Sequence, residues 1–314
     1  MGSQTEHKIP VINFSEENLK PGSDSWVLAS KQIRYGLEEY GCFEIVYDNF
    51  PLQLHQSIFD AAKEVLDLPK ETKMQKTSDR PGALSYVAPN PAVPLYENIA
   101  IYNPSTLEGA ESFTNIMWPQ GNRNFRDTVH SFSKRLEELY EITTRMVFEN
   151  YDVEALFDSF RNSSLHMLRL FKYRARQMND TNVGLIDHTD STFITILHQI
   201  EVQGLQIKTK DGKWIDVQPS ASSFIVIAGD ALKAWSNDRV RACEHHVIIN
   251  LENKERYSIG LFTFIKGVIH VPKELVTDEY PLRYKPFDNL AFSRFYLTEE
   301  ARNSPCLIKT FCGI

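Results

Sequence analysis

From Leu165 to Phe264 the chain reads as a succession of short β-rich runs separated by turn residues, and this pattern limits the fold more than any other. Leu168–Tyr173, Phe193–Leu197, Leu205–Lys208, Trp214–Val217, Phe224–Ile227, Val247–Ile249 and Ser258–Phe264 are the predicted strands, with Lys210-Asp211-Gly212-Lys213 as a hairpin turn between two of them. Many short strands so punctuated specify a sandwich or a double-sheet barrel, not a βαβ fold. Before them, Phe125, Val129, Phe132, Leu136, Leu139, Thr143, Met146 and Val147 recur in a 4-3-4-3 rhythm. That spacing predicts one long amphipathic helix whose apolar stripe packs on a sheet. The fold class is therefore α+β.

Nearer the N-terminus, Ile9–Phe14 and Cys42–Tyr47 read as strands. A helix is predicted from Asp24 or Ser25 through Tyr40, with Val27, Ile33, Leu37 and Tyr40 near one face and Gly41 ending it. Pro51 opens another, carrying Leu54, Ile58, Ala61 and Val65, and Pro69 a shorter one. Residues 79–121 differ: Pro81, Pro89, Pro91, Pro94, Pro104 and Pro119 forbid a long helix and no periodicity is sustained. The expectation there is a long loop forming part of a substrate-pocket wall. Asp152–Phe160 and Phe292–Ala301 are predicted short helices. The chain thus divides into an N-terminal region with the Pro-rich loop (1–121), backing helices (122–164), the β-rich core (165–270) and a C-terminal helix and tail (271–314), all one compact unit.

Composition excludes several function classes. A net charge of −7 gives no basic surface for nucleic acid or an anionic membrane. No apolar run is long enough to span a bilayer, and the polar start lacks a secretory core, so a cytoplasmic protein is expected. The four cysteines, Cys42, Cys243, Cys306 and Cys312, are scattered without C-x-x-C pairing, which disfavours structural zinc or disulfides and favours a reducing compartment.

Chemistry concentrates between His188 and Ser258. His188-Thr189-Asp190 places an imidazole and a carboxylate two residues apart, so on a strand both face one way. Glu244-His245-His246 adds a second imidazole at the start of another apolar strand. Strand alternation groups His245 with Val247 and Ile249 and favours it over His246 as the partner. Two imidazoles and one carboxylate are the donor set of the facial triad that binds non-haem Fe(II) on one octahedral face and leaves the other open. Eleven residues past His245, Arg256-Tyr257-Ser258 puts a guanidinium and a hydroxyl on one strand face, a pairing that suits a carboxylate ligand. Gly260, Phe262 and Phe264 continue that face, as a pocket lining or as plain core.

The order His-x-Asp, distal His, Arg-x-Ser within a β-rich C-terminal half resembles the 2-oxoglutarate- and Fe(II)-dependent dioxygenases. More narrowly it resembles their soluble plant branch acting on specialised metabolites and hormones. Ile9-Pro10-Val11-Ile12 and Tyr40-Gly41-Cys42-Phe43-Glu44-Ile45-Val46 resemble that family's N-terminal region, and Ala228–Asn237 its segment before the distal His. Phe171, Lys172 and Arg174 depart from its Asn-Tyr-Tyr-Pro pattern, which with the Pro-rich stretch looks closer to glucosinolate side-chain dioxygenases and auxin oxidases.

The resemblance implies a double-stranded β-helix, or jelly roll, as the core. It implies His188, Asp190 and His245 as iron ligands, and Arg256, Ser258 and Tyr173 as contacts to the distal carboxylate of 2-oxoglutarate. Phe262, with Phe264 beside it, would line the substrate pocket. The expected reaction consumes 2-oxoglutarate and O2, yields succinate and CO2, and hydroxylates, desaturates or dealkylates a small molecule. Ascorbate is expected as reductant and the protein as a monomer. The competing readings are an Fe(II) oxidase that does not use 2-oxoglutarate, a non-catalytic small-molecule binder and a zinc hydrolase. An acidic substrate would require a cation in the pocket, for which Arg80, Arg123, Arg174 and Arg176 are the candidates.

Overall fold

The computed structural model describes residues 8–14, 19–48, 50–75, 77, 85–251 and 254–314. The N-terminal part runs β1 (Val11–Asn13), α1 (Asp24–Glu39), β2 (Cys42–Val46), α2 (Leu52–Leu66), α3 (Lys70–Lys73), β3 (Tyr86–Val87), β4 (Tyr96–Tyr102) and α4 (Leu107–Met117). The long α5 (Arg123–Asn150) and short α6 (Phe157–Asn162) lead into β5 (Ser164–Tyr173), β6 (Val183–His188), β7 (Ile194–Gln199), β8 (Leu205–Lys208), β9 (Trp214–Asp216), β10 (Ser223–Ala228), α7 (Asp230–Trp235), β11 (His245–Ile248) and β12 (Arg256–Ile265). Three short helices, α8 (Asn289–Phe295), α9 (Glu299–Arg302) and α10 (Leu307–Cys312), stand where Phe292–Ala301 alone was predicted. Thr298 explains the interruption: its hydroxyl accepts from the Ala301 amide and starts a new helix.

Two sheets form the core. The larger has the order β1-β2-β10-β7-β12-β5-β4-β3 and the smaller β6-β11-β8-β9. Every pairing in them is antiparallel except β1 with β2. The strands β5 to β12 divide as β10-β7-β12-β5 against β6-β11-β8-β9, which is the jelly-roll arrangement. β12 is the spine of the larger sheet, paired over its whole length with β5 and over Ser258–Thr263 with β7.

The outer face of the larger sheet is closed by helices. All eight stripe residues of α5 are buried, and the seven apolar ones share one core with Leu168, Leu170, Ile194, Ile196, Phe224, Val226, Ile259 and Leu261. Asn122 caps that helix through its side chain on the Phe125 amide at 3.0 Å. In α1 the buried stripe is Trp26, Ala29, Ile33 and Leu37, whereas Val27 is exposed, one position off the predicted face. Gly41 follows with φ +73°, and a Cβ there would lie 2.5 Å from the Arg241 carbonyl, so the turn into β2 requires glycine.

The stretch predicted as a long loop is instead structured from residue 85 onward. β4 joins the sheet beside β5, and its residues are buried on both faces, so no alternation marks it in the sequence. α4 fits between Pro104 and Pro119, started by Thr106, whose hydroxyl accepts from the Gly109 amide at 3.0 Å. β6 was also absent from the sequence reading. It is an edge strand of the smaller sheet with a glycine inside it and a mixed exposure pattern, which erase the usual strand signal.

Candidate active site

The cavity lies between the two sheets. β6 ends at His188, which pairs in register with His245, the first residue of β11, and the two imidazole centroids are 4.2 Å apart. Asp190 is not on the strand but in the turn beyond it, and it still reaches the pair: His188 Nε2 lies 3.7 Å from Asp190 Oδ1. One donor atom from each of the three side chains falls within 4.8 Å of the others, the one such cluster among the described residues. His246 points away. It stacks on Trp214 at 3.7 Å and contacts Asp187 and Gln206, which removes it as the alternative.

The surroundings orient these donors. His188 Nδ1 faces the Ile186 carbonyl at 2.8 Å and His245 Nδ1 the Cys243 carbonyl at 3.0 Å. A carbonyl only accepts, so Nδ1 carries the hydrogen in both rings and Nε2 is left to the site. Thr195 donates its hydroxyl to Asp190 Oδ2 at 2.6 Å, leaving Oδ1 toward the imidazoles. Burial and the neighbouring His245 push His188 down to about 4. At His245 burial acts the same way, but the Cys243 side chain and the Asp190 charge outweigh it and raise the group to about 9. Two imidazoles with Nε2 inward and one carboxylate are a donor set that fits a divalent cation.

Arg256, at the start of β12, pairs in register with Tyr173 at the end of β5. Its side chain is 2% exposed. The guanidinium donates to Gln199 Oε1 at 2.7 Å and Ser258 Oγ at 3.3 Å and sits 5.0 Å from the Tyr173 ring centroid. Its Nε has no partner, and among the described residues no carboxylate pairs with it. A buried guanidinium normally has a counter-charge, because an unpaired one loses its hydration without return. The arrangement offers an anionic ligand a buried, uncompensated positive charge.

The cavity has a volume of about 720 Å³, and all eight candidate residues line it: His188, Asp190, His245, Tyr173, Arg256, Ser258, Phe262 and Phe264. Of the aromatic residues in the former loop, Tyr96 and Tyr102 do so as well. Phe113 and Trp118 instead pack on Phe125 in the helical core, and Tyr86 hydrogen-bonds Glu97. None of Arg123, Arg174 and Arg176 lines the cavity; Arg123 pairs with Asp127 and Arg174 with Asp180, while Arg80 lies outside the described residues. The sequence reading missed Gln199, which holds the guanidinium, and Arg169, which projects into the cavity from β5. Alternation from Tyr173 back to Arg169 was the signal available for the latter.

Comparison with known proteins agrees with this geometry. Residues 164–265 match the 2OG-Fe(II) oxygenase superfamily, and residues 9–93 match the non-haem dioxygenase in morphine synthesis N-terminal domain. Over 98% of its length the chain is 39% identical to the probable 2-oxoglutarate-dependent dioxygenase AOP1.2 of Arabidopsis thaliana, covering 96% of that protein. It is 30% identical to the 2-oxoglutarate-dependent dioxygenase AOP3 of the same plant, with 98% of each chain covered. Among solved structures, a rice dioxygenase for auxin oxidation superposes with a TM-score of 0.81 at 25% identity, over 98% of this chain and 100% of that one. The jelly roll, the two imidazoles with their carboxylate, and these likenesses over the full length have one explanation: the chain belongs to the 2-oxoglutarate- and Fe(II)-dependent dioxygenases.

Proposed function

We propose that His188, Asp190 and His245 hold Fe(II), and that Arg256, with Ser258 and Tyr173, anchors the distal carboxylate of 2-oxoglutarate. The observation that carries this reading is the buried Arg256 with no carboxylate partner among the described residues, in the same cavity as the triad. Bound iron and 2-oxoglutarate supply the oxidising chemistry, in which 2-oxoglutarate and O2 become succinate and CO2 as a substrate C–H is oxidised.

The protein's part is positional. His188 and His245 are held with Nε2 inward by the Ile186 and Cys243 carbonyls, and Asp190 by Thr195. Gln199 accepts from the far side of the Arg256 fork, and its own amide is tied to the Val217 carbonyl at 3.1 Å, so the fork is fixed before ligand arrives. Phe262, Phe264, Phe171, Met167 and Leu197 give the substrate an apolar wall that excludes water.

The substrate we propose is a small plant specialised metabolite or hormone, because the relatives are plant enzymes and one is a dioxygenase for auxin oxidation. Hydroxylation is the primary outcome, with desaturation or dealkylation open to the same site. Ascorbate as reductant, a monomer and a cytoplasmic location complete the reading; among the described residues no helix is long and apolar enough to cross a membrane. A zinc hydrolase would need a general base; the one lining carboxylate outside the triad among the described residues is Asp187, which is engaged by His246 at 2.7 Å. The test is a metabolite screen with Fe(II), 2-oxoglutarate and ascorbate. Succinate release that depends on an added metabolite supports the reading, and product formed without succinate contradicts it.

A further inference from the structure

Arg256 is one of four cations on the cavity wall; the others are Arg169, Lys266 and Arg294. Facing them are two carboxylates, Asp187 and Asp190. Asp190 belongs to the triad, and Asp187 is bonded to His246 at 2.7 Å. Among the described residues no ion pair includes Arg169, Lys266 or Arg294. In a chain of net charge −7, a cavity with this excess of positive charge is a local reversal of the whole.

The register shows where Arg169 acts. On β5 the side chains of Leu165, Met167, Arg169, Phe171 and Tyr173 all line the cavity. Arg169 lies opposite Gly260 of β12, and Gly260 opposite Leu197 of β7. The next row is Met167, Phe262 and Thr195, and Thr195 is the residue that holds Asp190. Tyr173 and Arg256 are four residues away along β5, about 13 Å at strand rise. The cation therefore sits beside the level of the triad, well removed from the anchor for 2-oxoglutarate.

Its fork is also prepared. Arg169 Nη1 donates to Asn98 Oδ1 at 2.5 Å, and Asn98, fully buried, donates its own amide to the Tyr96 hydroxyl at 2.7 Å. One edge of the guanidinium is thereby fixed to β4, and the rest remains available. Opposite it, Gly260 lets the Phe262 and Leu197 side chains close over the β12 backbone, 2.7 and 2.9 Å from where a Cβ would stand, so the surface beside the guanidinium is apolar. Lys266 and Arg294 are exposed at the rim.

Resting on the function proposed above, we infer that the substrate is a carboxylate: an apolar body lies on the aromatic wall and its carboxyl group binds the Arg169 fork, drawn in past Lys266 and Arg294. A guanidinium recognises a planar carboxylate through two parallel hydrogen bonds, and it does so best where apolar walls exclude water.

The test uses iron-loaded enzyme with saturating 2-oxoglutarate, kept free of oxygen so that Arg256 is occupied and nothing turns over. The probes are ω-phenylalkanoic acids of three chain lengths, the matching primary amides and the matching sulfonates, with Kd measured by calorimetry. Wild-type enzyme is expected to bind at least one acid about tenfold or more tighter than its amide, the size of one charge-assisted contact. Arg169→Gln should bring that ratio close to one and leave the Kd for 2-oxoglutarate unchanged. Lys266→Gln with Arg294→Gln should slow association and steepen no affinity difference beyond a few-fold, because rim charges are screened. Acids and amides binding alike, an acid preference that survives Arg169→Gln, or tighter binding of the sulfonates would each overturn the inference. Failure of the dioxygenase reading is separate and would appear as loss of 2-oxoglutarate binding in the wild-type enzyme.

Discussion

Arg256 carries a buried charge that no described carboxylate offsets. Burial holds its pKa below the usual guanidinium value. Arg256→Ala should therefore weaken 2-oxoglutarate binding by about 2–5 kcal/mol, read as a rise in its Kd. Tyr173→Phe removes one hydroxyl and should cost about 1 kcal/mol. An unchanged 2-oxoglutarate requirement in Arg256→Ala would place the anchor elsewhere. Phe262 has a different task. It is half-buried, 6.0 Å from Phe171 between ring centroids, and directly opposite Thr195, which holds the triad's Asp190. Phe262→Ala should lower substrate affinity by roughly 1.5–3 kcal/mol while 2-oxoglutarate affinity holds. Two titrations on that variant decide it, and equal losses for both ligands would make Phe262 a packing residue only.

At the scale of elements, the helix α5 and the strand β6 show what governs legibility. The stripe of α5 was readable because one face of a long helix is buried and the other solvated, so period and burial coincide. β5 and β12 were readable as strands for their β-rich composition, and Arg256, Ser258, Phe262 and Phe264 followed from alternation along one of them. β6 and β4 were not. One is an edge with a glycine in it and the other is buried on both faces, so neither alternates. His188 and Asp190 were found by their spacing, yet the reason they converge is a strand end and a turn pinned by Thr195, which spacing does not reveal. Arg169 was missed because its meaning depends on neighbours from β4 and β12. For α5 the expected outcome is structural: Leu136→Ala, fully buried against the outer face of the sheet, should destabilise the fold by about 2–5 kcal/mol in denaturant titration. Iron and 2-oxoglutarate affinities of the folded protein should not change, since the cavity is on the other face.

The whole molecule separates stability from chemistry by using the two faces of one sheet. Helices bury the outer face in a continuous apolar core, and the inner face with the smaller sheet encloses the cavity. The smaller sheet brings His188 and His245, the turn after it Asp190, and the larger sheet Arg256, Ser258 and Phe262. A ligand that bridges the triad and Arg256 therefore spans both sheets. That bridge is the central claim, and it is visible directly. Fe(II) chelated by 2-oxoglutarate absorbs in the visible through metal-to-ligand charge transfer, so an anaerobic titration reports the complex without any substrate. Wild-type protein should develop the band at one equivalent of iron. Asp190→Ala should fail to develop it while keeping a native circular dichroism spectrum, and Arg256→Ala should develop it only at much higher 2-oxoglutarate. A band that forms unchanged in Asp190→Ala, or at the same 2-oxoglutarate concentration in Arg256→Ala, would contradict the account.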